Sequence, residues 1–143
     1  MADIVCDFLV NAPAARVYRA FSTSAGLDTW WTKTARGQPA LNAELTLGFG
    51  PGYDWRGIVT RYTPDSEFEL RMTDAHEDWM NTRVGATLTE TDGKTSVHFY
   101  HTGWPTDNEH WRISCYCWPM YLRLLRRNVE HGELVAYEQR LDV

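Results

Sequence analysis

Three stretches carry residue types able to do chemistry. Cys115-Tyr116-Cys117 offers two thiols, and Asp74-Ala75-His76-Glu77-Asp78 offers carboxylates beside an imidazole. His101 closes an alternating run, Val97, Phe99, His101. The thiols fail as a chelate. On a helix, residues two apart point to nearly opposite sides, so both sulfurs cannot grip one ion, and no Cys-x-x-Cys or paired-His spacing accompanies them. The acidic stretch lacks the glycine-centred spacing of a calcium loop and reads as a solvated connection between strands. Neither is expected to hold a metal. His101 is different. If Val97 and Phe99 face an apolar interior, its imidazole faces it too, placed to hydrogen-bond a ligand or to act as acid or base. The competing reading is a strand-end histidine satisfied by the backbone. Nowhere is there a nucleophile–base–orienter set, a phosphate-cradling glycine loop or a supported carboxylate pair, which weighs against an enzyme. No catalytic residue and no cofactor is expected.

Aromatic side chains make up 13% of the chain, including seven Trp and seven Tyr, enough to fill a core or to line a pocket. The formal charge of −5 disfavours nucleic acid and anionic membranes as partners. Three cysteines, Cys6, Cys115 and Cys117, are too few and oddly numbered for a disulfide framework. No apolar run approaches the ~18 residues of a membrane span, and no basic-then-apolar signal opens the chain, so a cytoplasmic protein without membrane insertion is expected. At 143 residues, one domain over 1–143 is expected, with 133–143 as a C-terminal tail.

Periodicity supplies the elements that must position these residues. Period-two alternation predicts strands over residues 3–10, 42–49, 53–62, 66–73, 81–90 and 94–102. Ile4, Cys6, Phe8 and Val10 share one face of the first. Val84, Ala86 and Leu88 should face the same way as Val97, Phe99 and His101 across a hairpin turned at Thr91-Asp92-Gly93. Helical spacing of Ala14, Val17, Tyr18 and Phe21 after Pro13 predicts one short helix, and residues 24–29 a second that delivers Trp30 and Trp31. Residues 33–41 read as a loop.

The longest element is a helix over residues 106–132. Thr106 with Glu109 has capping-box spacing, Asp107 is an alternative cap, and Gly132 stands where a C-cap glycine belongs. At about 100° per residue, Trp111, Cys115, Trp118, Leu122, Leu125 and Val129 form the stripe assigned to the sheet. Ile113, Cys117, Met120, Leu124 and Tyr121 form a second apolar band. The surplus must pack under the short helices and tail, or against a second copy of the chain. Pro119 removes the N–H that would bond the Cys115 carbonyl. Strands joined by short turns form an antiparallel meander with one apolar face, and only this helix is long enough to cover it.

That order carries Ala12-Pro13-Ala14-Ala15-Arg16-Val17-Tyr18 with Phe21, then Leu27 through Trp30-Trp31, and Gly57-Ile58-Val59 running to Pro64. His101-Thr102-Gly103-Trp104, and Leu122, Leu125, Val129-Glu130 and Gly132, complete the set. It resembles the START-like (SRPBCC) superfamily, and within it the branch named after the activator of the heat-shock chaperone ATPase. A glycine pair often found after the Trp-Trp region is here Ala43-Glu44. The resemblance implies an α+β helix-grip fold, a curved antiparallel sheet of about six strands wrapped around the C-terminal helix. It also implies a cavity between sheet and helix that takes a small hydrophobic or amphipathic molecule. The expected lining is Trp30, Phe49, Trp55, His101, Trp111, Cys115 and Trp118. The alternatives are a protein-interaction module of the chaperone-partner kind and a cyclase or lyase using His101. A homodimer through the second helix band is a further expectation.

Overall fold

Alternation between apolar and polar residues builds the sheet, and one long amphipathic segment covers it. The computed structural model describes residues 2–142. Strand β1 (Ala2–Val10) is followed by helices α1 (Ala14–Ser22) and α2 (Ser24–Leu27). Then come β2 (Thr34–Arg36), β3 (Glu44–Gly48), β4 (Asp54–Thr63) and β5 (Glu67–Asp74), with a 3-10 turn η1 (Glu77–Trp79). Strands β6 (Arg83–Thr91) and β7 (Lys94–Trp104), helix α3 (Glu109–His131) and a 3-10 turn η2 (Tyr137–Asp142) complete the chain. The strands form one antiparallel sheet in the order β1-β7-β6-β5-β4-β3-β2. Each neighbour except β1 is also the neighbour in sequence, so short hairpin turns suffice.

The register follows the expected faces. Val84 pairs with His101, Ala86 with Phe99 and Leu88 with Val97, and all six side chains are buried. A one-residue slip of either strand would turn its three side chains to solvent, so burial of one face excludes that slip, and the tight turn at Asp92-Gly93 sets the pairing. Register shifts at Arg56/Gly57 and Val59/Arg61 of β4 bend the sheet as bulges do. On α1, Ala14, Val17, Tyr18 and Phe21 are buried; on α3, Trp118, Leu122, Leu125 and Val129 are buried while Trp111 and Cys115 are half-buried. Gly132 adopts φ 70° and closes α3 by donating its N–H to the Asn128 carbonyl at 2.8 Å, the left-handed C-cap for which glycine is suited.

Three details depart from expectation. The segment over 33–41 is not all loop, because Thr34–Arg36 pairs with β3, making seven strands. Three residues are too few to show a period. What holds them is Asp28, whose Oδ1 accepts from the Ala35 N–H at 2.7 Å and the Thr32 hydroxyl at 2.7 Å. Helix α3 begins at Glu109 and is capped by Asn108, whose Oδ1 accepts from the Trp111 N–H at 3.0 Å; neither Thr106 nor Asp107 is the N-cap. Tyr53, the first residue of the strand expected over 53–62, lies just outside β4, which begins at Asp54, and is 60% exposed.

The tail is tied down. Arg140 is buried, and its guanidinium donates to the Thr32 carbonyl at 3.1 Å and the Asp28 carbonyl at 2.7 Å. No helix among the described residues is long and apolar enough to cross a membrane.

An aromatic box and the cleft beside it

Strand β7 delivers His101 to the inner face, and α3 lays Trp118 over it. The Trp118 indole N–H donates to His101 Nδ1 at 3.1 Å, and His101 Nε2 lies 2.9 Å from the Thr82 hydroxyl oxygen. That hydroxyl donates in turn to the Trp79 carbonyl at 2.6 Å. With Nδ1 accepting and the Thr82 proton committed, the ring is neutral and carries its proton on Nε2. Burial, and after it the nearby His110, pushes the His101 pKa down to about 3. Both nitrogens are satisfied, so the ring has no free lone pair and no free N–H for proton transfer.

Around this chain of hydrogen bonds the indoles pack ring on ring. Trp31 lies 5.3 Å from Trp118, 5.9 Å from Trp30 and 5.5 Å from Phe49. Phe49 is 5.2 Å from Trp55, which is 5.0 Å from Trp79, and Trp79 is 4.5 Å from His101. The structure therefore brings together Trp30, Phe49, Trp55, His101 and Trp118 of the expected lining. Trp111 and Cys115 lie on the same helix face, half-buried. Beside these rings, a small recess bordered by Trp30, Trp31, Phe68 and Phe99 has a volume of about 10 Å³, room for about one water.

Trp79 is the central residue that sequence reasoning passed over. It follows the acidic stretch read as a loop, and the 3-10 turn η1 swings it inward to 7% exposure. A large apolar ring directly after the acidic pair Glu77-Asp78 was the available signal. Asp78 anchors that turn: its Oδ2 accepts from Asn108 Nδ2 at 3.2 Å and meets His110 Nδ1 at 3.0 Å. These bonds hold the Asp78 carboxyl below the usual carboxylate range.

A larger recess opens next to the box, between β1 and the middle of α3. Its volume is about 180 Å³, and it is lined by Cys6, Asp7, Phe8, Pro119, Leu122, Arg123 and Arg126. Cys6, Phe8, Pro119 and Leu122 supply apolar surface; Arg123 and Arg126 supply cations, with Asp7 the one acid. Burial pushes the Cys6 thiol up, with smaller contributions from Cys115 and Asp7, so it is a neutral, inert part of the wall. Proline at 119 leaves the Cys115 carbonyl without its helical donor at the level of this recess.

A seven-stranded antiparallel sheet gripping one long C-terminal helix, with two short helices after the first strand, defines a START-like protein. The chain belongs to the family of Activator of Hsp90 ATPase homolog 1-like proteins, whose model matches residues 11–130. The Aha1 dimer from Colwellia psychrerythraea has a similar structure, with a TM-score of 0.83 at 23% identity, covering 93% of this chain and 99% of that one. Protein MLL2253 from Mesorhizobium loti superposes with a TM-score of 0.81 at 18% identity, over 93% of this chain and 100% of that one. CalU16 from Micromonospora echinospora does so with a TM-score of 0.73 at 17% identity, over 96% of this chain and 83% of that one. At these identities the likeness is one of fold. No curated protein matches the chain by sequence.

Proposed function

We propose that the protein binds a small amphipathic anion, of the aryl or medium-chain carboxylate class, in the cleft between β1 and α3. The observation that carries this reading is the composition of the cleft: apolar Cys6, Phe8, Pro119 and Leu122 together with Arg123 and Arg126, against the single acid Asp7. Burying an apolar body there gains roughly 25 cal/mol per Å². A carboxylate at the mouth gains charge-assisted, bidentate pairing with Arg123 or Arg126. The recess of about 180 Å³ is close to the ~150 Å³ that suits a benzene-sized body, so the ligand is small or leaves part of itself in solvent. On this reading Trp30, Phe49, Trp55, His101 and Trp118 are the packed wall that sets the position of α3 against β1, and Trp111 and Cys115 continue that wall.

The experiment is a titration of labelled protein with phenylacetate and octanoate, followed by amide chemical shifts. Saturable shifts centred on residues 6–8 and 119–126 are expected. Losing a hydrogen bond to a charged group costs about 1.5–3 kcal/mol, so Arg126→Ala and Arg123→Ala should together weaken binding tenfold or more. Failure of the whole carboxylate panel to saturate, or shifts centred elsewhere, overturns the reading.

A second reading concerns partners. Glu109, Ile113, Tyr116, Met120, Arg123 and Arg127 recur along α3 at spacings of four and three, which places them in one stripe. Tyr116 is 82% exposed and Ile113 51% exposed. The stripe is self-complementary when two copies run antiparallel. Glu109 then opposes the partner's Arg127, and Tyr116 opposes the partner's Met120. We infer that this face pairs two copies about a two-fold axis near Trp118. The Aha1 of Colwellia psychrerythraea is a dimer, which supports pairing of two copies; the choice of face rests on the stripe.

A further inference from the structure

The turn η1 and the first turn of α3 bring together a cluster that the chain keeps about thirty residues apart. His76 and Asp78 come from the turn, and His110 is the second residue of α3. One donor atom from each lies within 4.8 Å of the other two. Asp78 Oδ2 is 3.0 Å from His110 Nδ1 and 3.7 Å from His76 Nδ1. The imidazoles meet edge to face, with centroids 4.6 Å apart. A tetrahedral ion with bonds of about 2.0–2.1 Å sets its ligand atoms ~3.3 Å apart. The two carboxylate spacings bracket that value, and the two imidazole nitrogens, within 4.8 Å of each other, would close toward it around an ion.

We propose that His76, Asp78 and His110 form a binding site for a divalent ion of the zinc class, with the remaining coordination positions open to water. Two imidazoles and one carboxylate suit Zn²⁺, Co²⁺, Ni²⁺ or Cu²⁺; Ca²⁺ and Mg²⁺ call for oxygen shells this site does not offer. His76 Nδ1 accepts the Asp78 N–H at 3.1 Å, so that nitrogen is unprotonated, and an ion bound there takes the place of the N–H. Between His110 Nδ1 and Asp78 Oδ2 the ion replaces one proton, which is released to solvent. Asn108 Nδ2, 3.2 Å from the same oxygen, is the supporting partner that aims the carboxylate. His76 is 47% exposed while Asp78 is only 18% exposed, which gives the ion a route in from solvent to a partly sheltered carboxylate. Bound there, it would cross-link η1 to the start of α3 directly beside Trp79, whose ring lies parallel to that of His110 at 6.4 Å.

The test uses the intact chain, stripped with chelator and titrated with Co²⁺ and then Zn²⁺. One equivalent of Co²⁺ should bind with the visible bands of a nitrogen–oxygen site and no thiolate charge-transfer band, and Zn²⁺ should displace it. Losing an outer-shell partner costs up to about 100-fold in affinity, so His110→Ala and His76→Ala should each cost at least that. His76 is half-exposed, so its removal leaves the core intact; unchanged near-ultraviolet dichroism verifies this. The proposal is overturned if no equivalent binds at micromolar Co²⁺. It is equally overturned if His76→Ala binds as the parent does, or if a thiolate band places the ion on Cys6, Cys115 or Cys117.

Discussion

His101 shows how burial and hydrogen bonding turn a titratable group into a packing element. Its two nitrogens are taken by Trp118 and Thr82, and its pKa is pushed down to about 3 by burial. An ordinary unfolded histidine titrates near ~6.5. The unfolded chain therefore binds the proton that the folded chain refuses, and stability falls as pH drops from about 6.5 toward 3, at roughly 1.4 kcal/mol per pH unit. Above that window the contribution is fully present. Urea unfolding of the parent at pH 7, 5.5 and 4.5 should show a falling midpoint. His101→Gln, which keeps hydrogen-bonding capacity, should be less stable at pH 7 and flatter across that range; an equal slope in both proteins would refute the assignment. Glu69 adds an acid-side loss at lower pH. Burial raises its pKa, but bonds from Thr60, Tyr100 and Arg83 outweigh that and hold it low, so its contribution fades as pH falls below the usual carboxylate range.

At the scale of elements, α3 starts at a cap supplied by Asn108. Asn108 accepts from the Trp111 N–H and also donates to Asp78, so it joins the helix to η1. Replacing an N-cap Asn by Ala costs about 1 kcal/mol. Asn108→Ala should lose that and the tie to Asp78, for a total of about 1–2 kcal/mol. Thr106→Ala and Asp107→Ala should each stay within about 0.5 kcal/mol of the parent. Thermal unfolding of the three variants decides between the caps. The wide apolar arc of α3 is likewise resolved. Leu124 is buried and Tyr121 half-buried, and burial, with a smaller contribution from the nearby tail residue Tyr137, pushes the Tyr121 hydroxyl up. Ile113 and Tyr116 remain outward.

At the scale of the whole molecule, the three proposed contacts all lie along the margins of α3: the β1 cleft, the outward stripe and the turn at its start. The stripe predicts oligomeric state. Sedimentation at tens of micromolar should give a dimer mass for the parent and a monomer mass for Tyr116→Glu. That substitution sits on an exposed position and so leaves the fold intact. A parent that stays monomeric at every concentration, or a variant that remains dimeric, would remove the interface.

Residue periodicity alone determined which face each strand and helix buries. Val84, Ala86 and Leu88 could be placed on the same face as Val97, Phe99 and His101 in advance, since a side-chain period of two fixes the face, while the turn at Asp92-Gly93 fixes which residues pair. Gly132 and the stripe from Trp118 to Val129 were legible for the same local reason, and the ordered motifs carried the fold. Contacts between distant segments decided the rest. Three-residue β2 shows no period and exists because Asp28 and β3 hold it. Trp79 and Trp31 complete the box because packing fills volume, which no local pattern encodes. His110 meets His76 and Asp78 only where α3 crosses η1. Periodicity reports on neighbours in the chain; volume and chelation depend on neighbours in space.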